Sequence, residues 1–240
     1  VIMWRAIFIS LLLLLIVEPS YFSITLNYSG TYEVHYLLTT YFNAYGNATI
    51  DVNGGRIFVK ENFVVCNKSL ETVASAINPN ISSLADMYIH NSYCYTFTEN
   101  GSRLYLKFYF TNSSEILIPY YLPISLKNGS YELTIVNDNL TSGKVVEYNL
   151  TANVVCKGDI INITATALCP NPLHYYYIHG YYAYNKTNDI LQSYENIFSG
   201  KLNVSKGGLD YVEILQLSRS YVTHVTTATS LNYVLIGGIV

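Results

Sequence analysis

Residues 92–111, SYCYTFTENGSRLYLKFYFT, are the stretch that decides the fold class. Apolar and polar residues alternate in both halves, which is the period of a β-strand with one buried face. The halves meet at Asn100-Gly101, a dipeptide that tolerates positive φ and is typical of two-residue hairpin turns. The stretch therefore predicts an antiparallel β-hairpin, and similar alternation recurs along the chain.

A second hairpin is predicted where two alternating runs flank Asn53-Gly54-Gly55. These runs are residues 48–52 and 56–60. Further strands are predicted at 115–121, 131–137, 144–150, 151–156, 160–168, 173–184, 209–217 and 221–236. Many short strands separated by turns are typical of a β-sandwich. We therefore expect one all-β head domain over residues 41–240, an immunoglobulin-like β-sandwich.

One short helix is expected to interrupt the strands. Leu70, Val73, Ala74 and Ile77 have the spacing of one helix face. The Asn78-Pro79 pair then ends the helix, because the residue before proline disfavours the helical conformation.

The first 20 residues are typical of a secretory signal peptide. Arg5 precedes an uncharged run from Ala6 to Val17, which is short for a membrane-spanning helix. We expect cleavage between residues 20 and 23. An uncleaved anchor is the alternative, because neither Ser20 nor Ser23 has a small residue two places earlier.

The composition limits the classes of partner. Charged residues are only 12% of the chain and the net charge is −3, which excludes a basic surface for nucleic acid. No second long apolar run follows residue 20, so we expect no membrane contact in the mature form. A surface of hydroxyl and amide groups changes little with pH, so tolerance of acid is a further hypothesis.

Asn-x-Ser/Thr triplets are unusually frequent and spread over the chain. In an exported protein such triplets are acceptors for N-linked glycans on exposed positions. Crowding of Asn with Ser and Thr in turns is the alternative explanation. The twelve triplets begin at Asn27, Asn47, Asn67, Asn80, Asn100, Asn112, Asn128, Asn139, Asn149, Asn162, Asn185 and Asn203.

The cysteine count is even, which in an exported chain predicts two disulfides. The cysteines are Cys66, Cys94, Cys156 and Cys169, and three pairings are open. Pairing between sequence neighbours would join Cys66 to Cys94 and Cys156 to Cys169. No Cys or His spacing typical of a metal site is present, and we expect no cofactor apart from glycans.

The first strand of the mature chain has unusually long alternation, and we name residues 21–40 the N-terminal tail. A strand of this kind can pair within its own chain or be donated to another copy. In a donated strand, backbone hydrogen bonds supply affinity and alternate side chains set the register. A break into two shorter strands at Gly30 is a further alternative. The apolar residues of the donor strand are Ile24, Leu26, Tyr28, Tyr32, Val34, Tyr36 and Leu38.

These features together resemble the subunits of archaeal thread filaments. The resemblance lies in the signal segment, the Tyr-rich all-β body, the triplets from Asn27 to Asn203 and the alternating run from Ile24 to Leu38. It implies a pilin-like sandwich that inserts its N-terminal strand into the next identical subunit. The implied product is an extracellular, N-glycosylated head-to-tail filament that works in adhesion or biofilm formation.

Two other functions stay open at this point. The chain could be a monomeric or lattice-bound surface glycoprotein, of the S-layer or adhesin kind, with residues 24–38 paired at home. It could also be a secreted enzyme whose site the sequence does not reveal, although no nucleophile elbow or His-Glu-x-x-His motif is present. We expect a non-enzymatic protein with no catalytic residues.

Overall fold

The computed structural model describes residues 21–35, 39–67, 86–111, 117–123, 125–170, 175–204 and 207–228. Within these ranges the chain forms eleven strands. They are β1 (Tyr21–His35), β2 (Thr39–Asn53), β3 (Arg56–Asn67), β4 (Asp86–Asn100), β5 (Arg103–Phe110), β6 (Gly129–Asn139), β7 (Lys144–Lys157), β8 (Ile160–Pro170), β9 (Tyr175–Asn185), β10 (Leu191–Val204) and β11 (Gly207–Ala228).

The strands form one closed barrel in chain order, with β1 paired to β11. Every neighbouring pair is antiparallel except β5 and β6, which are parallel. Alternation along the strands places one row of side chains inside. Ile24, Ile50, Val59 and Tyr93 illustrate this row, because they are buried and lie opposite one another across four strands.

The predicted β-sandwich is therefore wrong, although the all-β class is confirmed. Alternation states only that one face of each strand is buried. Two sheets can bury their inner faces against each other, or one sheet can curl until its own face is enclosed. The chain takes the second arrangement because β11 returns to β1. The predicted helix at residues 70–77 lies outside the described residues, and within the described ranges no helix is long and apolar enough to cross a membrane.

Both hairpins predicted from Gly-containing turns are confirmed. Gly54, Gly55 and Gly101 have positive φ, as the turn chemistry requires. Residues 144–150 and 151–156 form a single strand, β7, and the two strands predicted at the carboxyl side form the single strand β11 up to Ala228. The rest of the last predicted strand lies outside the described residues.

One predicted strand is wrong, and one observed strand was not predicted. Residues 117–121 are not a strand of the barrel, and Tyr121 makes only an isolated bridge to Ile190. The strand β10 was not predicted from its sequence. A register shift between Leu191 and Ser193 changes the phase of the side chains there, so a simple period of two does not run through this strand.

Candidate functional site

The predicted donor strand is β1, and it lies within the barrel of its own chain. It pairs with β2 from Phe22 to His35 and with β11 from Tyr21 to His35. Ile24, Leu26 and Tyr28 are almost completely buried. The strand is continuous through Gly30, so a break into two strands at that residue does not occur.

The remaining residues of the predicted donor strand are Tyr32, Val34, Tyr36 and Leu38. Tyr32 is half-buried and packs its ring 5.6 Å from that of Phe42. Val34 belongs to β1 and pairs with Thr40. Tyr36 and Leu38 lie outside the described residues.

Two glycines allow the close approach of the strands around β1. A Cβ atom on Gly30 would lie 1.7 Å from the carbonyl oxygen of Gln216 in β11. A Cβ atom on Gly46, opposite Tyr28, would lie 2.1 Å from the carbonyl oxygen of Asn62 in β3. Close pairing of β1 with β11 and of β2 with β3 therefore requires glycine at these two positions.

The outer side of β1 is tied to β2 by polar side chains. Tyr21 Oη donates to Asp51 Oδ1 over 3.1 Å, and Ser23 Oγ donates to the same atom. Thr25 Oγ1 lies 3.0 Å from Thr49 Oγ1. These contacts repeat at every second residue, and together with the buried row they fix the register of β1 against β2.

Inside the barrel lies a non-strand stretch, residues 117–123, which we name the interior segment. It belongs to the connection between β5 and β6. Because these two strands are parallel, the connection must run back along the barrel from the end of β5 to the start of β6. Ile118, Pro119, Tyr120 and Leu122 are buried. A backbone in such a place needs partners for its polar groups, because unpaired buried groups are costly.

Tyrosine hydroxyls on the barrel wall supply many of these partners. Tyr95 Oη donates to the Tyr121 carbonyl oxygen over 2.7 Å and accepts from the Tyr121 amide over 2.9 Å. Tyr184 Oη donates to the Pro119 carbonyl oxygen over 2.6 Å. Tyrosine is suited to this role because its ring packs in the apolar wall while its hydroxyl reaches a backbone group.

Backbone groups at the start of β10 and just before it also hold the interior segment. The Leu191 amide donates to the Tyr120 carbonyl oxygen over 2.9 Å, and the Leu122 amide donates to the Asp189 carbonyl oxygen over 3.1 Å. Tyr28 connects β1 to the same place, since its hydroxyl donates to the Leu191 carbonyl oxygen over 2.9 Å. Its ring also packs 5.1 Å from that of Tyr120. β1 is thus part of the structure that holds the interior segment.

Glu61 of β3 is a buried carboxyl beside this segment. Its side chain accepts a hydrogen bond from Asn91 Nδ2 over 3.0 Å. The Tyr93 hydroxyl lies 2.7 Å from Glu61 Oε1 and 2.8 Å from the Ile118 carbonyl oxygen, but it carries one proton. The Tyr93 hydroxyl can therefore donate to only one of the two oxygens at a time, and when Glu61 is protonated the acid can donate to Tyr93 while Tyr93 donates to Ile118.

Burial explains why this carboxyl favours the neutral form. It raises the pKa of Glu61 above its usual value, although the hydrogen bonds that Tyr93 and Asn91 donate to the ionised carboxylate oppose the shift. Burial, followed by the nearby Glu61, also raises the pKa of Tyr93. Among the described residues Tyr120 Oη has no hydrogen-bond partner of good geometry, and burial raises its pKa as well.

Glu61 should make the barrel more stable in mild acid. A carboxyl with a raised pKa in the folded state binds its proton more tightly there, so its contribution is present below the unfolded pKa and is lost as pH rises through the folded value. We expect the free energy of unfolding to fall above about pH 4.5, by at most about 1.4 kcal/mol per pH unit for one group.

The matched variant is Glu61→Gln, whose amide reproduces the hydrogen bonds of the protonated acid. Urea unfolding at a series of pH values should show a weaker decline for this variant than for the parent protein. Equal slopes for the two proteins would show that Glu61 does not titrate between the folded and unfolded states.

Four of the predicted glycan acceptors lie within strands, on the outer face of the barrel. They are Asn27, Asn47, Asn149 and Asn162, and the middle residue of each triplet is buried: Tyr28, Ala48, Leu150 and Ile163. Strand alternation itself therefore places Asn and Ser or Thr on one face. This patterning contributes to the number of triplets whether or not the sites carry glycans.

The remaining acceptors lie mostly near strand ends. Asn139 Oδ1 accepts hydrogen bonds from the amides of Thr141 and Ser142, and Asn185 Oδ1 accepts one from the Thr187 amide. Asn80 and Asn112 lie outside the described residues. Asn67, Asn100 and Asn203 lie in β3, β4 and β10, and Asn128 directly precedes β6.

The strand register does not support disulfides between sequence neighbours. Cys94 pairs with Phe58, which is eight residues along β3 from Cys66. Cys156 pairs with Ile161, which is eight residues along β8 from Cys169. Eight strand residues span about 26 Å, far beyond the reach of a disulfide. Cys94 and Cys156 have free thiols.

The polar interior was not predicted, although the sequence of β3 contains one signal of it. Residues Ile57, Val59, Phe63 and Val65 form an apolar row in β3, and Glu61 occupies the middle position of that row. A carboxyl in an apolar row indicates a buried acid with partners. Within the described ranges no three His, Cys, Asp or Glu side chains come close enough to hold a metal ion.

Comparisons with known proteins give a distant structural likeness and no match in sequence. No protein-family profile matches the chain. No curated protein matches it. Among solved structures, one concerned with lipid–protein interactions in lipovitellin matches with 10% sequence identity and a TM-score of 0.41. The match covers 90% of this chain and 27% of that one, and it carries no argument about function.

Proposed function

We propose that this protein is a structural subunit of an extracellular filament, which polymerises when β1 of one copy fills the barrel of the next. The observation that carries the proposal is that β1 closes the barrel, with a strand bonded to each of its two sides. The barrel therefore needs a strand of this pattern between β2 and β11. A second copy can supply it through the same contacts.

The connection to β2 favours exchange. Only three residues, 36–38, separate the last residue of β1 from the first residue of β2. Short connections between long paired strands favour domain swapping, because the same chain can run straight on into a neighbour. Such an exchange is heterologous when each copy gives its strand to one neighbour and receives a strand from a different neighbour, so it extends into a filament.

A second candidate is a monomeric or lattice-bound surface glycoprotein that keeps β1 at home. The observation in its favour is the complete pairing of β1 within its own chain. Both candidates are non-enzymatic and extracellular, and in both the surface would carry N-linked glycans. They differ in one measurable property, which is the chain that contributes the strand.

A pair of engineered cysteines distinguishes the two. Thr25 and Thr49 are direct partners in β1 and β2, and their hydroxyl oxygens are 3.0 Å apart. We expect the Thr25→Cys, Thr49→Cys protein, with its four native cysteines replaced by serine, to form interchain disulfides after assembly. A non-reducing gel should then show a ladder of covalent oligomers.

The single variant Thr25→Cys in the same background is the control, since it can give at most a dimer. If the double variant forms only an intrachain disulfide in concentrated protein, and electron microscopy shows no filaments, β1 remains at home. That result would favour the glycoprotein candidate over the filament.

A further inference from the structure

Two strands of the barrel extend beyond a neighbour and leave one side unpaired. β11 pairs with β10 only as far as Ser218, whereas its pairing with β1 continues to Ala228. β4 pairs with β5 only from Tyr93 onward, whereas its pairing with β3 begins at Asp86. Residues 219–228 and 86–92 therefore each lack a strand on one side within the described part of the chain.

The two unpaired edges lie at opposite ends of the barrel. Tyr21 pairs with Ala228, and the neighbouring Phe22 pairs with Val52 next to the β2–β3 turn. The edge of β11 is therefore at the end that carries this turn. Asp86 pairs with Cys66, near the far end of β3. The edge of β4 is therefore at the other end.

The chain directions of β4 and β11 and the positions of their unpaired edges are also compatible with pairing between two copies. β4 and β11 both run toward the end with the β2–β3 turn, because each is antiparallel to a strand that starts there. The unpaired edge of β11 is the edge that faces β10 lower in the barrel, and the unpaired edge of β4 is the edge that faces β5. Around the barrel these two edges point in opposite directions. Two copies stacked in the same orientation can therefore bring the edges together as a parallel pair.

The edge of β11 has little of the protection that natural edge strands use. Register shifts at Ser220 and Thr223 interrupt its first half, but residues 224–228, HVTTA, follow without a shift. This stretch contains no Pro, Lys or Arg and is rich in β-branched residues. An edge of this composition is a template for pairing with another chain.

We infer that β11 residues 224–228 of one copy pair with β4 residues 86–92 of a second copy in the same orientation. This head-to-tail contact does not depend on exchange of β1. It joins two different surfaces, so each copy retains one free edge and the assembly can grow. The pairing is short, so it should be weak and dependent on concentration.

The test uses the Thr25→Cys, Thr49→Cys protein, oxidised while monomeric so that an intrachain disulfide between the two introduced cysteines locks β1 at home. Strand exchange then cannot contribute. In that background Tyr88→Lys places a charge in the β4 edge, where Tyr88 is 60% exposed, and Thr226→Lys places one in the β11 edge. Sedimentation should show self-association of the locked parent. Each variant alone should associate at least about tenfold more weakly.

Mixing the two variants gives the sharpest outcome. The Tyr88→Lys protein keeps an intact β11 edge and the Thr226→Lys protein keeps an intact β4 edge, so the mixture should form a 1:1 dimer and nothing larger. Tyr105→Lys is the matched control, because Tyr105 is 41% exposed on β5, which is paired on both sides. This control should associate like the locked parent.

Three results would overturn the inference. A stable dimer of the Tyr88→Lys protein alone would mean that two β11 edges pair with each other. A locked parent that stays monomeric with residues 224–228 fully protected from amide exchange would mean that another part of the same chain covers the edge. A locked parent that is monomeric, with every second amide of residues 224–228 exchanging rapidly, would mean that no chain pairs with this edge.

Discussion

Tyr95→Ala should unfold a large part of the protein population under native conditions. The side chain is completely buried, and its ring packs 5.3 Å from that of Phe108. Removing a buried aromatic side chain costs about 3–5 kcal/mol. Loss of the hydroxyl also leaves the amide and carbonyl of Tyr121 unpaired, at about 1–3 kcal/mol for each group. Domains of ordinary stability have about 5–15 kcal/mol in total.

Tyr95→Phe separates the two contributions, because it keeps the ring and removes only the hydrogen bonds. Urea unfolding should place it between the parent and Tyr95→Ala, and amide exchange of Tyr121 should be faster in it than in the parent. Tyr105→Ala is the exposed control and should lie within about 1 kcal/mol of the parent. Unchanged exchange at Tyr121 in Tyr95→Phe would contradict the role given to the phenol.

The hairpins were predictable because their information is local. Gly54, Gly55 and Gly101 adopt positive φ at the turns, and this requirement is visible in the dipeptides themselves. The length of β1 was visible for the same reason, since its alternation continues through Gly30. Features of this kind depend on residues within a few positions of one another.

Closure of the barrel was not predictable in this way. It depends on the pairing of β1 with β11, strands separated by most of the chain, and alternation does not specify which partner encloses a buried face. The parallel pairing of β5 with β6 is equally non-local. Residues 117–121 have the composition of a strand, but phenols and the start of β10 bond their backbone instead.

The candidate site was predictable only in part. The burial of Ile24, Leu26 and Tyr28 in β1 was predicted correctly, because burial follows directly from alternation. Glu61 was overlooked, because the acid is buried by partners from β4 and from the interior segment, which are distant in sequence. The chain that receives β1 is a property of the assembly, and neither periodicity nor composition encodes it.

Deletion of residues 21–35 should abolish the folded barrel, and a synthetic peptide of the same residues should restore it. Without β1, the edges of β2 and β11 that pair with it lose their backbone partners. Tyr28 also no longer bonds to Leu191 beside the interior segment. The peptide returns three fully buried apolar side chains, each worth about 1.5–3 kcal/mol. Its backbone bonds on both edges add to this, so we expect saturation at about micromolar peptide.

Circular dichroism and gel filtration measure the result, with a 1:1 complex as the expected product. A peptide with Ile24, Leu26 and Tyr28 replaced by serine should fail, because it lacks the row that enters the barrel. A peptide with outward-facing Asn27 and Ser29 exchanged for threonine should still bind, because these side chains stay outside. A deletion variant that folds as stably as the parent without any peptide would show that β1 is dispensable, and the slot on which the filament proposal rests would not exist.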